Sequence, residues 1–198
     1  MSADDTTKDA PRHITDAQTM RALAHPVRLE LLDLLQRDGE LTATRAAEAL
    51  GDSPGNMSWH LQTLAKYGFV EEAGGGKGRS RPWRLVEKSN RFTASDDDPG
   101  AAAAGTALAG QVLDRAVEMD RQWMATRSSY PTEWQNSAFL NNSIAYLTAD
   151  ELLAVCEEFV AIVVRYNERV DRRKRPEGTL PVHLTAFGHP LPPTESGN

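Results

Sequence analysis

The fold is decided by residues 41–64, which read LTATRAAEALGDSPGNMSWHLQTL. This stretch predicts two short helices. Thr42 is a residue type that caps a helix, and Ser53-Pro54 is a cap followed by a proline in the first turn. Gly51 stands between the helices, where a left-handed residue closes the first of them. Two helices joined by so short a turn predict a helix-turn-helix motif.

The second predicted helix has two distinct faces. Met57, Leu61 and Leu64 recur at the spacing of one helix face and predict its buried side. Polar and aromatic residues occupy the other side near the N-terminal end, which is the end that a recognition helix presents to base edges in the DNA major groove. The candidate DNA-binding residues here are Ser53, Gly55, Asn56, Ser58, Trp59, His60 and Gln62.

A glycine-rich loop follows, carrying cations but no acid between residues 73 and 84. Residues 69–72 and 83–86 flank it and predict a hairpin, or wing. The candidate contacts to phosphates or the minor groove are Lys77, Arg79, Ser80 and Arg81. The alternative is a merely solvated loop. A phosphate-cradling P-loop is excluded because Gly78-Arg79 follows Lys77 and no helix follows the loop.

Two segments carry a resemblance to a known family. The first is ALAHPVRLELL, residues 22–32, in a region whose helices are predicted from a cap at Thr15 to Leu23 and from Pro26 to Asp38. The second is Ser58-Trp59-His60-Leu61, followed by Leu64 and Gly68-Phe69-Val70. Together, over residues 15–88, they resemble ArsR-type winged helix-turn-helix regulators.

The resemblance implies a homodimeric transcriptional repressor, or less often an activator, that binds double-stranded DNA at a partly palindromic operator. It also implies that His60 approaches the phosphate backbone, against the alternative of a structural hydrogen bond. For Trp59 two interpretations have equal weight: a contact with DNA, or packing under the preceding helix.

The sequence departs from the metal-sensing members of that family. Those members carry a Cys-x-Cys pair in the helix before the recognition helix, whereas residues 41–47 contain no cysteine, histidine or acid. A thiolate site for a soft metal cannot form there. We therefore expect no metal site and no cofactor. With no nucleotide-binding glycine loop and no recognisable nucleophile, we do not expect an enzyme.

Charge and composition fit a soluble DNA-binding protein. The net charge is −6, but residues 12–88 hold 11 Lys/Arg and 10 Asp/Glu, a net of +1, so the acidity lies mainly outside the DNA-binding half. Cys156 is the only cysteine and is predicted to be a small buried side chain. No apolar run is long enough to cross a bilayer. These features predict a cytoplasmic protein that does not associate with membranes.

The second half predicts long helices with short strands. Residues 101–127 read as a helix with a wide apolar stripe, and the family resemblance assigns it to dimerisation. Thr148 and Glu151 form a capping box for a helix reaching about Asp171. Residues 139–147 and 182–187 are predicted strands. The stripe of the first helix consists of Leu108, Val112, Ala116, Met119 and Trp123.

The aromatic residues of this half allow two uses. We favour a dimer core, and the alternative is a pocket for a small hydrophobic effector, which would control DNA binding. The residues concerned are Trp123, Met124, Trp134, Phe139, Tyr146, Phe159 and Tyr166.

The predicted fold class is mainly α (α+β), a winged helix-turn-helix domain followed by a helical dimerisation region with one or two short strands. The expected organisation is a disordered arm (1–13), the DNA-binding domain (14–90), a linker (91–105), the dimerisation or effector region (106–188) and a disordered tail (189–198). The alternative function is a winged-helix protein-interaction module without specific DNA binding.

Overall fold

The four helices of the N-terminal half lie close to the positions that the sequence predicts. The computed structural model describes residues 12–75, 81–86, 90–92 and 98–192. It contains α1 (Ala17–Leu23), α2 (Pro26–Asp38), α3 (Ala43–Leu50) and α4 (Pro54–Lys66). The predicted cap of α1 at Thr15 is wrong, because the carboxylate of Asp16 accepts a hydrogen bond from the Thr19 amide at 2.7 Å. This bond lowers the pKa of Asp16.

A three-stranded antiparallel sheet confirms the predicted wing. Its strands are β2 (Leu41–Thr42), β3 (Val70–Glu72) and β4 (Pro82–Leu85), in the order β2-β4-β3. Leu41 lies opposite Trp83, and Glu71 lies opposite Arg84. Because β2 directly precedes α3, this register attaches the wing to the helix-turn-helix.

A second, parallel pair of strands joins the two ends of this region. β1 (Arg12–Ile14) pairs with β5 (Asn90–Phe92). The guanidinium of Arg12 donates to the carbonyl oxygen of Tyr67 at 2.7 Å. The predicted arm therefore ends before Arg12, and its first residues, 1–11, lie outside the described residues.

The core of this region extends into the helix that follows. α5 (Pro99–Thr126) starts within the predicted linker, and its residues Ala101, Ala104 and Leu108 are buried. Ala104 and Leu108 belong to the same hydrophobic cluster as the buried faces of α1, α2 and α4. The guanidinium of Arg115 also contacts the carboxylates of Asp33 and Glu30 on α2. The four alanines at residues 101–104 are strong helix formers, which explains why part of the predicted linker is helical.

The chain divides into two units, Met1–Glu118 and Met119–Asn198. The second holds the end of α5, then α6 (Thr132–Ser137) and α7 (Ala149–Val164), with short 3-10 turns at Arg127–Ser129, Asn167–Val170 and Arg172–Lys174. The predicted capping box is present, since Thr148 Oγ1 accepts from the Glu151 amide and Glu151 accepts from the Thr148 amide. The predicted helix ends early, at Val164 rather than near Asp171.

The two strands predicted in the second unit are wrong. Residues 139–147 and 182–187 have no regular secondary structure. A strand needs a partner for its backbone groups, and in this unit as described no other segment pairs with either stretch. Asn141-Asn142-Ser143 in the first stretch and Pro181 before the second also disfavour a sheet.

Among residues 119–192 no side chain is buried, although many are apolar. Phe139 is 80% exposed and Tyr146 is 99% exposed. Cys156 is exposed too, so the prediction that it is buried is wrong. None of the helices within the described ranges combines the length and the apolar content that a membrane crossing requires.

The aromatic residues predicted to line a pocket are not brought together in one enclosure. The rings of Trp123 and Tyr130 are in contact, with centroids 5.0 Å apart. Met124, Phe139, Tyr146 and Tyr166 are exposed, whereas Trp123, Trp134 and Phe159 are half-buried. Apolar side chains at helical spacing become a core only where a second surface covers them, and the described part of the chain does not bury these side chains.

Candidate nucleic-acid interface

The turn of the helix-turn-helix is built by backbone hydrogen bonds around Gly51. Gly51 has φ +68° and ψ +35°, a left-handed conformation that glycine adopts without strain. The amide of Asp52 donates to the carbonyl of Ala47 at 3.0 Å, which closes the end of α3. The predicted left-handed position at Gly51 is confirmed, and it sets the direction in which the chain enters α4.

The start of α4 is capped as predicted. Ser53 Oγ accepts from the amide of Asn56 at 3.1 Å. Asp52 adds two bonds, since its carboxylate accepts from the Ser53 amide at 2.5 Å and from the Asn56 side-chain amide at 2.7 Å. These bonds lower the pKa of Asp52. The position of Asn56 is therefore set by an acid that the sequence analysis did not single out.

The polar face of α4 is exposed, as a groove-reading surface must be. Asn56, Trp59 and Gln62 are exposed and Ser58 is half-buried, while Met57, Leu61 and Leu64 are buried. Gln62 Nε2 donates to Ser58 Oγ at 3.4 Å, which links two candidate contacts one helical turn apart. The structure thus presents most of the predicted residues of this helix on one side.

Gly55 lies in the first turn of α4, next to Ser53. A Cβ atom at this position would meet nothing closer than Ser53 Oγ, at 4.0 Å. Packing within the chain therefore does not require glycine here. The absence of a side chain leaves the helix N-terminus and its amide groups open to an approaching backbone or phosphate.

His60 departs from the expectation of a phosphate contact. It is only 2% exposed, and its Nδ1 lies 3.3 Å from Nε of Arg28 on α2. Burial lowers the pKa of His60, and nearby His25 and Arg28 lower it further. The buried ring accepts a hydrogen bond from Arg28, so His60 has the structural role that was the alternative to a phosphate contact.

Trp59 is oriented outward, so it does not pack beneath the preceding helix. It is 54% exposed, and the guanidinium of Arg28 lies over its ring at 5.1 Å from the centroid. Its ring also meets the edge of His60, with centroids 4.8 Å apart. One face of the indole is thus held by the protein while much of the side chain remains accessible.

The wing is less positive than its sequence indicates. Arg81 forms an ion pair with Glu72 at 3.0 Å, and Arg84 forms one with Glu71 at 2.7 Å. The antiparallel register of β3 and β4 brings these acids beside the cations, although they precede the loop in sequence. Lys77, Arg79 and Ser80 lie outside the described residues.

Besides Asp52, sequence reasoning missed two residues that shape this surface, Arg28 and Glu72. Arg28 contacts both Trp59 and His60, and Glu72 contacts Arg81. A charged residue on the apolar side of α2 was the available signal for Arg28. For Glu72 the signal was its place on the strand that pairs with the basic one.

Comparisons with known proteins agree with the architecture of this region. Residues 23–73 match the family described as a helix-turn-helix domain. None of the curated proteins matches the chain significantly. The match covers the segment that holds α2, α3, α4 and β3, and it does not separate the ArsR type from other helix-turn-helix families.

Three solved structures show limited similarity. A transcriptional regulator homologue from Pyrococcus horikoshii is 19% identical, with 52% of this chain and 93% of that chain covered and a TM-score of 0.32. A mutant of ZitR from Lactococcus lactis in apo form is 13% identical, with coverage of 72% and 83% and a TM-score of 0.31. A MarR family transcription regulator is 16% identical, with coverage of 80% and 83% and a TM-score of 0.31.

Proposed function

We propose that this protein is a homodimeric, sequence-specific DNA-binding transcriptional regulator, and a repressor, of the ArsR type without a metal site. The observation that carries the proposal is the N-terminal half of α4, where Ser53 and Asn56 are exposed, Ser58 is half-buried and the position of Gly55 is unobstructed. A recognition helix reads base edges with this part of its surface. The resemblance of residues 22–32 and 58–70 supports the ArsR assignment.

In this proposal the two elements have different tasks. Asn56, Ser58 and Gln62 read base edges in the major groove, and Trp59 contacts a sugar or a thymine methyl group. Ser53 and the open amides at the start of α4 bind a phosphate. Lys77, Arg79, Ser80 and Arg81 bind phosphates or the minor groove through the wing.

The test is selection of bound sequences from a random pool of double-stranded DNA, followed by titration of the selected sequence at several salt concentrations. We expect a partly palindromic motif and an affinity that falls steeply with salt. Asn56→Ala should change the sequence preference, because base contacts specify. Enrichment of no motif, with no retardation of DNA at low salt, would refute the proposal.

The homodimer rests on the two sides of α5. One side is buried through Ala104, Leu108 and Ala116, whereas Val117 is 44% exposed and Met124 is 66% exposed on the other. Gly110, Leu113, Val117 and Met124 recur at spacings of three, four and seven along this outer side. Monomeric soluble proteins rarely leave this much apolar surface open, and a second copy would cover it.

Val117→Glu should dissociate the dimer, because a charge at the centre of an apolar seam is costly to bury. The readout is the molar mass from light scattering. Ala125→Glu is the matched control, since Ala125 is exposed on α5 but off this seam.

A small hydrophobic effector is the other candidate to cover the apolar side chains of residues 119–192. A monomeric wild type that binds an apolar dye would favour it.

The ion pairs of the wing favour a second candidate, a winged-helix module that binds a protein. Arg81 and Arg84 are partly neutralised by Glu72 and Glu71, which reduces the attraction to a polyanion. Such a module would pass through heparin at low salt and bind its partner with little dependence on salt. Retention on heparin with elution by salt would exclude it.

A further inference from the structure

A cluster of four side chains lies between α2 and α4, beside the candidate interface. Arg28 enters it from α2, Trp59 and His60 from α4, and His25 precedes α2. The rings of His25 and His60 lie 4.7 Å apart, and Nδ1 of His25 is buried without a hydrogen-bond partner.

Arg28 makes three different contacts in this cluster. Its Nη1 donates to the carbonyl oxygen of Ala22 at 2.6 Å, and its Nε donates to Nδ1 of His60 at 3.3 Å. Its guanidinium plane lies over Trp59, 5.1 Å from the ring centroid. A planar group with donors at its edge and a cationic face can make all three at once, which an ammonium group cannot.

Arg28 is a buried cation without an acidic partner among the residues that the structure describes. It is 8% exposed, and no carboxylate of the described residues forms an ion pair with it. Burial lowers the pKa of Arg28, although nearby Tyr67 favours its charged form. Such a charge is costly to bury unless its N–H groups form hydrogen bonds and its face contacts a suitable partner. Ala22 and His60 accept the hydrogen bonds, and the ring of Trp59 contacts the face.

The contact with His60 is possible in only one protonation state. Nε of Arg28 always carries a hydrogen, so Nδ1 of His60 must accept and the ring proton must lie on Nε2. A second proton on Nδ1 would replace this bond by two facing donors next to a buried cation. The charged or titratable groups around His60 are His25 before α2, Arg28 on α2 and Asp52 in the turn before α4.

We propose that Arg28 is a positioning residue for the recognition helix. Its hydrogen bond to His60, which requires an unprotonated Nδ1, holds the guanidinium where it stacks on Trp59 and fixes that side chain at the surface. Trp59 and His60 are consecutive residues on α4, one exposed and one buried. Holding both from one guanidinium sets the rotation of the N-terminal half of the helix about its axis. DNA binding is therefore coupled to the protonation of His60. The inference rests on the proposed function.

The first test needs no DNA. Long-range nitrogen–proton correlation spectra of the full-length protein report the tautomer of each histidine, and His60→Asn assigns the signal of His60. We expect the tautomer with the proton on Nε2, changing on acidification together with the indole signal of Trp59. A proton on Nδ1 near neutral pH, or titration of His60 without any change at Trp59, would overturn the inference.

The second test compares DNA binding of paired variants on the selected operator. His60→Asn keeps an acceptor where Nδ1 lies, whereas His60→Gln moves the acceptor to the position of Nε2. We expect wild-type affinity to stay constant down to about pH 6.5 and to fall below it, because the pKa of His60 in the folded protein is lowered by burial. His60→Asn should bind more tightly than wild type at the acidic end, and His60→Gln should bind weakly throughout. His189→Asn, in the second unit, should keep the wild-type pH profile.

Arg28→Lys separates charge from geometry. Lysine keeps the cation but has no Nε donor and no plane to stack on Trp59, so we expect specific binding to weaken about tenfold, equal to about 1.4 kcal/mol. Circular dichroism and thermal unfolding show whether each variant is folded.

The outcomes distinguish the inference from the proposed function. If wild type binds an operator while Arg28→Lys binds equally well and His60→Asn keeps the wild-type pH profile, the inference is wrong and the proposed function stands. If wild type binds no DNA, the proposed function fails, and the tautomer measurement still judges the Arg28–His60 bond.

Discussion

Arg81 on β4 is held in an ion pair by Glu72 on β3, with 3.0 Å between Nη1 and Oε1. One of the cations that we propose to bind DNA is therefore partly neutralised within the fold. The pair is about half exposed, so water and salt screen it, and its own contribution to stability is small. Its main effect is on the charge that the wing presents to a polyanion.

Glu72→Gln should strengthen DNA binding. Removal of the carboxylate releases Arg81 for a phosphate, so we expect the slope of log affinity against log salt to become more negative by about 1. Titrations at three or more salt concentrations measure this slope. Glu118→Gln on α5 removes the same charge from an exposed position away from the wing. If both variants change the slope equally, net charge rather than Arg81 is responsible.

Gly55→Ala should separate stability from DNA binding. Alanine is more favourable than glycine inside a helix by up to about 1 kcal/mol, and the space around Gly55 accommodates a methyl group. We therefore expect a higher melting temperature and a lower affinity for the operator. A rise in melting temperature with unchanged affinity would show that DNA does not approach the helix at this point.

Ser53 can be tested as a cap and as a phosphate contact independently. Ser53→Ala removes the acceptor for the Asn56 amide and should cost about 1 kcal/mol of unfolding free energy. Ser53→Asp keeps a capping acceptor, so the fold should stay stable while the added negative charge repels phosphate. Urea unfolding and DNA titration of both variants measure the two effects. Wild-type affinity of Ser53→Asp would exclude a nearby phosphate.

Unfolding of the protein should depend on pH through His60. Its pKa in the folded state is depressed by burial and by His25 and Arg28, so on acidification the unfolded chain takes up a proton that the folded chain resists. The stabilising contribution is fully present above the pKa of an unfolded histidine, about 6.5, and is lost as the pH falls below it. Urea titrations across this range should show less loss for His60→Asn. Equal losses of unfolding free energy in both proteins would show that His60 is not the group responsible.

Arg115→Met should loosen the attachment of α5 to α2. The variant keeps much of the apolar stem but loses the contacts to Asp33 and Glu30. Because these groups are partly exposed, we expect a loss of about 1 kcal/mol or less in unfolding free energy. Hydrogen exchange should increase along the first half of α5. Arg121→Met, an exposed arginine on the same helix, is the control and should leave exchange there unchanged.

Local chemistry explains which features of the fold could be predicted. The caps at Thr42, Ser53 and Thr148 and the left-handed Gly51 act through neighbours at most five residues away, so the sequence contains both partners of each bond. The wing hairpin is similarly local. The strands predicted at 139–147 and 182–187 failed because a strand depends on a distant partner that apolar composition does not guarantee.

The same distinction applies to the candidate site. The exposed face of α4 follows from helical periodicity, because Met57, Leu61 and Leu64 define the opposite side. The fate of His60 does not, since its partner Arg28 lies 32 residues earlier in the chain. The ion pair of Glu72 with Arg81 likewise depends on strand register rather than on composition.

The sequence by itself determined the helix-turn-helix and its wing, since capping, turn formation and helical periodicity act over a few residues. Only the tertiary structure decided which charges remain available to a partner. It buried His60 against Arg28, paired Glu72 with Arg81 and placed the start of α5 in the core while its outer side stayed exposed. Burial and ion pairing depend on distances between segments far apart in the chain, and those distances exist only once the segments have packed.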